Sequence, residues 1–281
     1  MIINGVDYEK ILEKSSGGIV GEYFFTFEDL TGANFSNADL TGINFTGATL
    51  TGANFSGAEL SGSNFFLADL TGANFSNADL NNVSFTGATL TDAVLSGADL
   101  SGIDLGYKDN LADADWSNTN LIGFDFRGST LTGANFSGAN LTEAKLSKNM
   151  ENVNLTGANL TEVNAHYISL KGANLTGANL TDAWLRVSDL REVNFTGATL
   201  TDTNLYSSDL RGANFTGATL TDTRLVSTDL RNAEFIDATL TDTDLRVSDL
   251  RYADLTGATL TNIKLGDTTF RDTKIDADYR D

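Results

Sequence analysis

The 281-residue chain contains no cysteine and no proline, and it has only one histidine, His166. Without cysteine it can form neither disulfide bonds nor thiolate metal sites. The lack of proline over so long a chain indicates that nearly every backbone N–H group is needed as a hydrogen-bond donor. No apolar run is long enough to span a membrane.

Positive charge is also scarce, because 18 basic residues stand against 38 acidic residues and give a net charge of −20. This balance disfavours direct binding to nucleic acid and to membranes, since both require a basic surface. It is compatible with a basic protein partner or with solubility alone. The first residues, MIINGVDYEKILEKSSGG, lack the charged-then-apolar pattern of a secretory signal. We therefore expect a soluble, cytoplasmic protein.

The chain repeats every five residues. From Leu30 to Phe270 a large apolar residue, here called the centre of its block, returns at this interval. One residue is added within 106–110 and one is lost within 147–149. Two positions before each centre lies a small residue, usually alanine, and in extended chain these two side chains point the same way. Each block therefore predicts a short extended side with two inward residues, followed by a corner.

A second repeat of 20 residues is superimposed on the first, as in Arg191, Arg211, Arg231, Arg251 and Arg271. Twenty residues are four blocks, so the repeat predicts a four-sided coil. Successive coils would stack as parallel sheets about 4.8 Å apart, which gives roughly twelve coils and a length on the order of 58 Å.

The repeat resembles the pentapeptide-repeat family over about residues 30–275. The resemblance implies an all-β solenoid, a right-handed quadrilateral parallel β-helix. We divide the chain into an N-terminal cap (1–24), the pentapeptide-repeat β-helix (25–275) and a polar C-terminal tail (276–281).

The two ends of such a solenoid need covering. In residues 7–14, Tyr8, Ile11 and Leu12 share a helical face and Asp7 can cap it, so we predict a short N-terminal capping helix. The tail is short and polar and would cover the last coil poorly. We therefore expect either a monomer or an end-to-end homodimer.

Four faces follow from the repeat, and we name them in chain order. The first carries the centres Phe45, Phe65 and Phe85, the second Leu50 and Leu70, the third Phe55 and Phe75, and the fourth Leu60 and Leu80. Aromatic centres thus lie on opposite faces, and we interpret them as core residues with offset ring contacts, not as a cofactor site.

Outward charges form columns in the C-terminal half. The arginines of the 20-residue repeat lie two positions after a column of aspartates, Asp189, Asp209, Asp229 and Asp249. We expect the two columns to interleave. Because each exposed pair contributes only about 0–1 kcal/mol, the columns fit either a structural ladder or a charged docking stripe.

No catalytic signature is present. The chain has one histidine, and it lacks a readable Ser-His-Asp set, a phosphate-binding loop and an HExxH motif. We predict that the protein is not an enzyme, with no catalytic, cofactor-binding or metal-ligating residues and no cofactor.

The first face departs from the repeat. Its outward positions carry apolar and aromatic residues, and both register changes fall at the corner that leaves it. Exposed apolar clusters often mark interaction sites, and Tyr and Trp are favoured anchors. Two interpretations stay open, tolerated drift or a protein-docking edge made of Phe66, Leu67, Tyr107, His166, Tyr167, Trp184, Val187, Tyr206, Val226 and Val247.

His166 itself follows Ala165, which occupies a centre where Leu or Phe is expected. This defect in the core column is either a tolerated irregularity or a binding hot spot.

Two functions compete. The first is an interaction protein that docks an unidentified partner, such as a basic protein, along one face. The second comes from the resemblance, because some family members mimic DNA and bind DNA gyrase or other DNA-binding proteins. A charge of −20 over about 58 Å is one charge per roughly 3 Å, against about 1.7 Å for DNA, and it is spread over four faces. Many family members are cyanobacterial and of unknown function, and the resemblance implies the same here.

Overall fold

The computed structural model describes residues 25–100, 103 and 110–276, and the backbone of strands β1 (Ile2–Ile3) and β2 (Val6–Asp7). Strands β1 and β2 pair antiparallel. The predicted helix over 7–14 would begin at Asp7, which ends strand β2, while residues 8–14 lie outside the described residues. The described ranges contain no helix, and therefore none that could cross a membrane.

Three longer strands form a parallel sheet in the order β3-β4-β5. They are β3 (Thr219–Thr221), β4 (Thr239–Thr241) and β5 (Thr259–Thr261). Leu220 pairs with Leu240, and Leu240 with Leu260, so the register between neighbouring strands is 20 residues. The other extended sides are too short to count as strands and pair through single parallel bridges, as in Asn54 with Asn74. The four-sided coil predicted from the 20-residue repeat accounts for this register.

A tight turn closes each block. The N–H of Ala33 donates to the carbonyl of Leu30 at 3.0 Å, and Gly32 between them has φ of 65°. A positive φ at the third residue of a turn is the requirement of a type II turn, which explains the frequent Gly, Asn and Asp at the second residue after the centre.

Most N–H groups of a block are donors, and in the block 54–58 all five are. In residues 54–58 two N–H groups reach the next coil, one reaches the previous coil, one closes the turn, and one is accepted by the side chain of Asn54. The five donor–acceptor distances lie between 2.7 and 3.0 Å. Proline would remove one of these bonds at any position, which explains its absence.

The bridges change spacing at two places. Thr89 pairs with Asn110, 21 residues away, and Asn140 pairs with Asn159, 19 residues away. Asp125 with Lys145 and Asn149 with Ser169 keep the ordinary spacing, so the short block lies between Lys145 and Asn149. There Ser147 is buried although it follows a centre directly.

The chain divides into two compact units. Unit 1 comprises Met1–Asn120 and Gly128–Asn135, and its core is aromatic. Phe55 and Phe75 stack with ring centroids 4.9 Å apart, and Phe45 and Phe65 stack at 4.8 Å. Rings from the two stacks meet edge to face at 5.7 Å, as in Phe55 with Phe65. The prediction of opposed aromatic core columns is therefore confirmed in this unit.

Unit 2 comprises Leu121–Arg127 and Phe136–Asp281. Leucine centres fill most of its core, with one Phe stack in which Phe215 lies 4.9 Å from Phe195 and 4.7 Å from Phe235. Threonine replaces alanine at some small positions. The buried hydroxyl of Thr203, for example, donates to the carbonyl of Leu180 at 2.8 Å, which satisfies a polar group in an apolar interior.

The last described coil is open. Leu265 is 45% exposed and Phe270 38% exposed, beside a cavity of about 380 Å³ lined mainly by leucine and isoleucine. Residues 277–281 of the predicted tail lie outside the described residues, and the end-to-end homodimer stays a prediction.

The predicted charge columns interleave. The guanidinium of Arg211 binds Asp209 two residues earlier, with Nη2 and Oδ2 2.6 Å apart, and its Nε lies 3.6 Å from Asp229 in the next coil. Arg191, Arg231 and Arg251 bind their own preceding aspartates in the same way. Hydrogen bonds from the arginines lower the pKa of Asp189 and of Asp249.

Removing a buried ring should cost far more than removing an end ring. We expect Phe215→Ala to lower the free energy of unfolding by about 3–5 kcal/mol, because it leaves a cavity in the Phe stack. The control Phe270→Ala removes the same atoms from a partly exposed site and should cost less than half as much. Urea unfolding followed by circular dichroism measures both, and equal losses would contradict the described core.

Acid should weaken the pair of Asp254 and Lys274, whose Oδ2 and Nζ atoms are 2.8 Å apart. This hydrogen bond lowers the pKa of Asp254 to about 2 from 3.8. Because the folded pKa is below the unfolded value, the stabilisation is present above about pH 4 and is lost as the pH falls through about 2.

We expect Asp254→Asn and Lys274→Met each to reduce the difference in urea midpoint between pH 4 and pH 2, and the reduction to be small because solvent screens the exposed lysine. Wild-type behaviour in both variants would show that the pair does not contribute.

Candidate protein-docking site

Nine of the ten predicted docking residues are described, and Tyr107 lies outside the described residues. Phe66 and Leu67 are exposed in unit 1. The other seven lie in unit 2, where His166 and Val226 are half-buried and the exposed members are Tyr167, Trp184, Val187, Tyr206 and Val247. The structure thus brings together the seven residues of unit 2.

An aromatic cluster forms the middle of this group. The ring of His166 lies 5.8 Å from that of Trp184 and 6.5 Å from that of Tyr167, in both cases edge to face. Two coils further on, the guanidinium of Arg224 lies 5.3 Å from the ring centroid of Tyr206. Offset, edge-to-face and cation–π contacts of this kind hold exposed side chains in defined positions.

The backbone connects these residues from coil to coil. The N–H of Tyr167 donates to the carbonyl of Arg186 at 3.1 Å, and the N–H of Val187 donates to the carbonyl of Tyr206 at 2.9 Å. We call the two residues that follow each first-face centre the trailing corner, which from Ala165 to Leu245 comprises residues 166–167, 186–187, 206–207, 226–227 and 246–247. Its members are therefore ordered neighbours in successive coils.

The trailing corner carries residues that are unfavourable in its backbone geometry. Val187 has φ of 55° and Val247 φ of 62°, and a β-branched residue at positive φ is a genuine outlier. Among described non-glycine residues at positive φ, eight are neither Asn, Asp nor Glu: Phe27, Leu67, Tyr167, Val187, Ser207, Ser227, Val247 and Tyr252. All except Tyr252 lie at the corner that leaves the first face. Backbone strain clusters at functional sites, so this distribution favours a functional role.

Burial, and after it the positive charge of Arg186, lower the pKa of His166 below its usual value of 6.5, which favours the neutral imidazole at pH 7. Its Nδ1 atom and the Nε atom of Arg186 are both buried without a hydrogen-bond partner in the part of the chain that the structure describes. The histidine therefore adds a polar aromatic surface and no charge.

Sequence reasoning missed two arginines of this face, Arg186 and Arg224. Seven other described arginines form ion pairs: Arg127, Arg191, Arg211, Arg231, Arg246, Arg251 and Arg271. In six of these the arginine follows a centre that an aspartate precedes, as in Asp209-Leu210-Arg211. Arg186 follows Trp184-Leu185, and Arg224 itself precedes its centre. For Arg186 the missing aspartate was therefore a signal in the sequence, whereas for Arg224, which has Asp222 two residues earlier, the signal was its position before the centre.

The opposite border of the first face is acidic. The corner that precedes this face, here called the leading corner, carries one carboxylate per coil in Glu162, Asp182, Asp202, Asp222 and Asp242. A shallow hollow of about 370 Å³ lies between Glu162, Asn164, Asp182 and Trp184. Within the described residues, no group of three or more His, Asp or Glu side chains could hold a metal ion.

The family model of pentapeptide repeats matches the chain in eight copies, at residues 29–65, 68–106, 110–147, 154–191, 173–212, 188–225, 213–251 and 228–267. The chain belongs to the pentapeptide-repeat family. Members of this family fold as right-handed quadrilateral β-helices and are generally structural or interaction proteins.

Solved structures of the same kind are similar over much of the chain. HetL, a pentapeptide repeat protein involved in heterocyst differentiation regulation in the cyanobacterium Nostoc sp. strain PCC 7120, is 24% identical over 94% of both chains, with a TM-score of 0.37. A pentapeptide repeat protein of the Arabidopsis thaliana thylakoid lumen is 33% identical over 47% of this chain and 78% of its own, with a TM-score of 0.31.

QnrB1, a plasmid-mediated fluoroquinolone resistance protein, is 24% identical over 87% of this chain and 93% of its own, with a TM-score of 0.29. No curated protein sequence matches the chain. With TM-scores below 0.5, these similarities do not extend the role of any of these proteins to this chain.

Relieving the strain at the trailing corner should stabilise the protein. We expect Val187→Gly and Val247→Gly each to raise the free energy of unfolding by about 1 kcal/mol, because glycine adopts positive φ without steric cost. The reciprocal control Gly197→Val places the same side chain at φ of 64°, with open space around its Cβ, and should cost about 1–2 kcal/mol. Denaturant midpoints compare the three variants. A loss of stability in both glycine variants would mean that the valines pack favourably and are not strained.

Proposed function

We propose that this protein is a non-enzymatic interaction protein that docks another protein through the trailing corner of the first face in unit 2. The observation that carries the proposal is the coincidence, at one corner, of exposed aromatic side chains with β-branched residues at positive φ, which among the described residues occur only there. Sequences usually avoid such strain where packing alone decides the residue, and they retain it where function requires the side chain.

The chemistry of the corner suits protein recognition. Tyr167 and Tyr206 offer rigid rings with polar tips, and Trp184 adds a third large surface beside them. Tyrosine and tryptophan dominate binding energy in protein interfaces because they bury much area and lose little conformational entropy. The coil-to-coil hydrogen bonds of this corner hold the surface in place before a partner binds.

The DNA-mimic alternative has less support from the surface charge. Mimicry needs acidic columns that face solvent without counter-ions. Among the described residues the leading corner offers one such column, whereas Asp189, Asp209 and Asp229 of the other acidic column are each bound by arginine. The exposed aromatic residues of the trailing corner also have no counterpart in the charged phosphate edge of a duplex.

The double variant Tyr167→Ala, Tyr206→Ala tests the docking function. The full chain, immobilised, should recover a specific partner from extract of its native cells, and the double variant should recover at least about tenfold less, as expected for two interface anchors worth more than 1 kcal/mol each. Label-free mass spectrometry quantifies the recovery.

The matched control is Tyr252→Ala, which removes an equally exposed tyrosine, also at positive φ, from another corner. It should leave recovery unchanged. Equal recovery by wild type and the double variant would refute docking at this corner, and equal loss in the control would indicate non-specific capture.

A further inference from the structure

The two borders of the first face differ in charge. The leading corner carries a carboxylate in each coil, whereas none of the outward residues of the trailing corner between His166 and Ser227 is acidic. Two arginines of this face lie on the trailing side, since Arg186 is itself a trailing-corner residue and Arg224 lies over the ring of Tyr206. The docking surface is thus locally basic within a chain of net charge −20.

These cations are available for a partner. Arg186 and Arg224 are the two described arginines that form no ion pair within the described residues, although Asp222 lies close to Arg224 in sequence. Lys148, an exposed residue at the start of the same column of corners, also forms no ion pair in the described ranges. Six of the other seven described arginines bind a carboxylate two residues earlier, Arg246 of the trailing corner among them, so Arg186 and Arg224 are exceptions to the protein's own pattern.

We propose that the trailing corner binds an acidic segment of the partner protein, with carboxylates on Arg186 and Arg224 and apolar or aromatic side chains against Trp184 and Tyr206. The proposal rests on the docking function proposed above and specifies the chemistry of the partner. Guanidinium groups bind carboxylates through paired hydrogen bonds, and neither Arg186 nor Arg224 has a carboxylate partner within the described residues. A polyanion such as nucleic acid is disfavoured, because it would extend over the carboxylates of the leading corner and of the rest of the chain.

Three fluorescein-labelled synthetic peptides of about ten residues test this charge preference at about 50 mM NaCl, where surface charges are weakly screened. In each peptide tyrosine alternates with one other residue, which is glutamate in the first peptide, glutamine in the second and lysine in the third. A single-stranded oligothymidine of similar length is the fourth probe. Fluorescence anisotropy with the full chain gives the dissociation constants. We expect the glutamate peptide to bind at least about fivefold more tightly than the glutamine peptide.

The variants Arg186→Gln and Arg224→Gln should each weaken binding of the glutamate peptide by about three- to fivefold. The control Arg211→Gln makes the same change in net charge at an arginine that is bound to Asp209, and it should weaken binding by less than about twofold. Thermal unfolding checks that the three variants remain folded.

Tighter binding of the lysine peptide would overturn the proposal and assign a basic partner to the leading corner. Equal losses of affinity for the glutamate peptide in all three variants would overturn the proposal by showing that binding depends on net charge alone. Preferred binding of the oligothymidine through the same arginines would show that the corner is a nucleic-acid site instead. If the arginine variants retain full partner recovery while the Tyr167 and Tyr206 double variant loses it, the docking function stands and the acidic partner is excluded.

Discussion

The structure depends on the backbone hydrogen bonds of the five-residue block. Two donors reach the next coil, one reaches the previous coil and one closes the turn, and the fifth is bound by the side chain of an Asn or Asp where one precedes the centre. An unpaired buried N–H would cost as much as a lost hydrogen bond. Because each donor of the block has its own acceptor, a block can neither lengthen nor shorten without local rearrangement, as Ser147 shows by its burial in the short block.

This hydrogen-bond pattern restricts which residue types can fill the core. The centre and the small residue two positions before it are the inward side chains, and their column is filled either by stacked Phe rings, as in unit 1, or mainly by Leu, as in unit 2. Where threonine occupies the small position, as at Thr203, its hydroxyl donates a hydrogen bond to a backbone carbonyl. Packing therefore decides the inward residues almost completely, and the corners are the main place where side chains can vary.

The five-residue and 20-residue repeats predict the centres, the four-sided coil and the interleaved charge columns, because each follows from side-chain alternation and from counting blocks. They do not predict the strain at Val187 and Val247, since φ becomes visible only when the turn is built. The unpaired state of Arg186 could have been read from the absent aspartate before Leu185, but the contact of Arg224 with Tyr206 depends on side-chain direction across coils. The predicted helix over 7–14 falls mostly outside the described residues.

The trailing corner is the one place in the described chain where β-branched and aromatic residues recur at positive φ. The backbone ladder makes this possible, because Val187 is held by its hydrogen bond to Tyr206 whatever side chain it carries. A corner fixed by its neighbours can present a strained, exposed residue without unfolding, at a cost of order 1–3 kcal/mol per position. The same rigidity that restricts the core therefore frees this corner to display aromatic rings and unpaired cations in a fixed arrangement, which is what a docking surface requires.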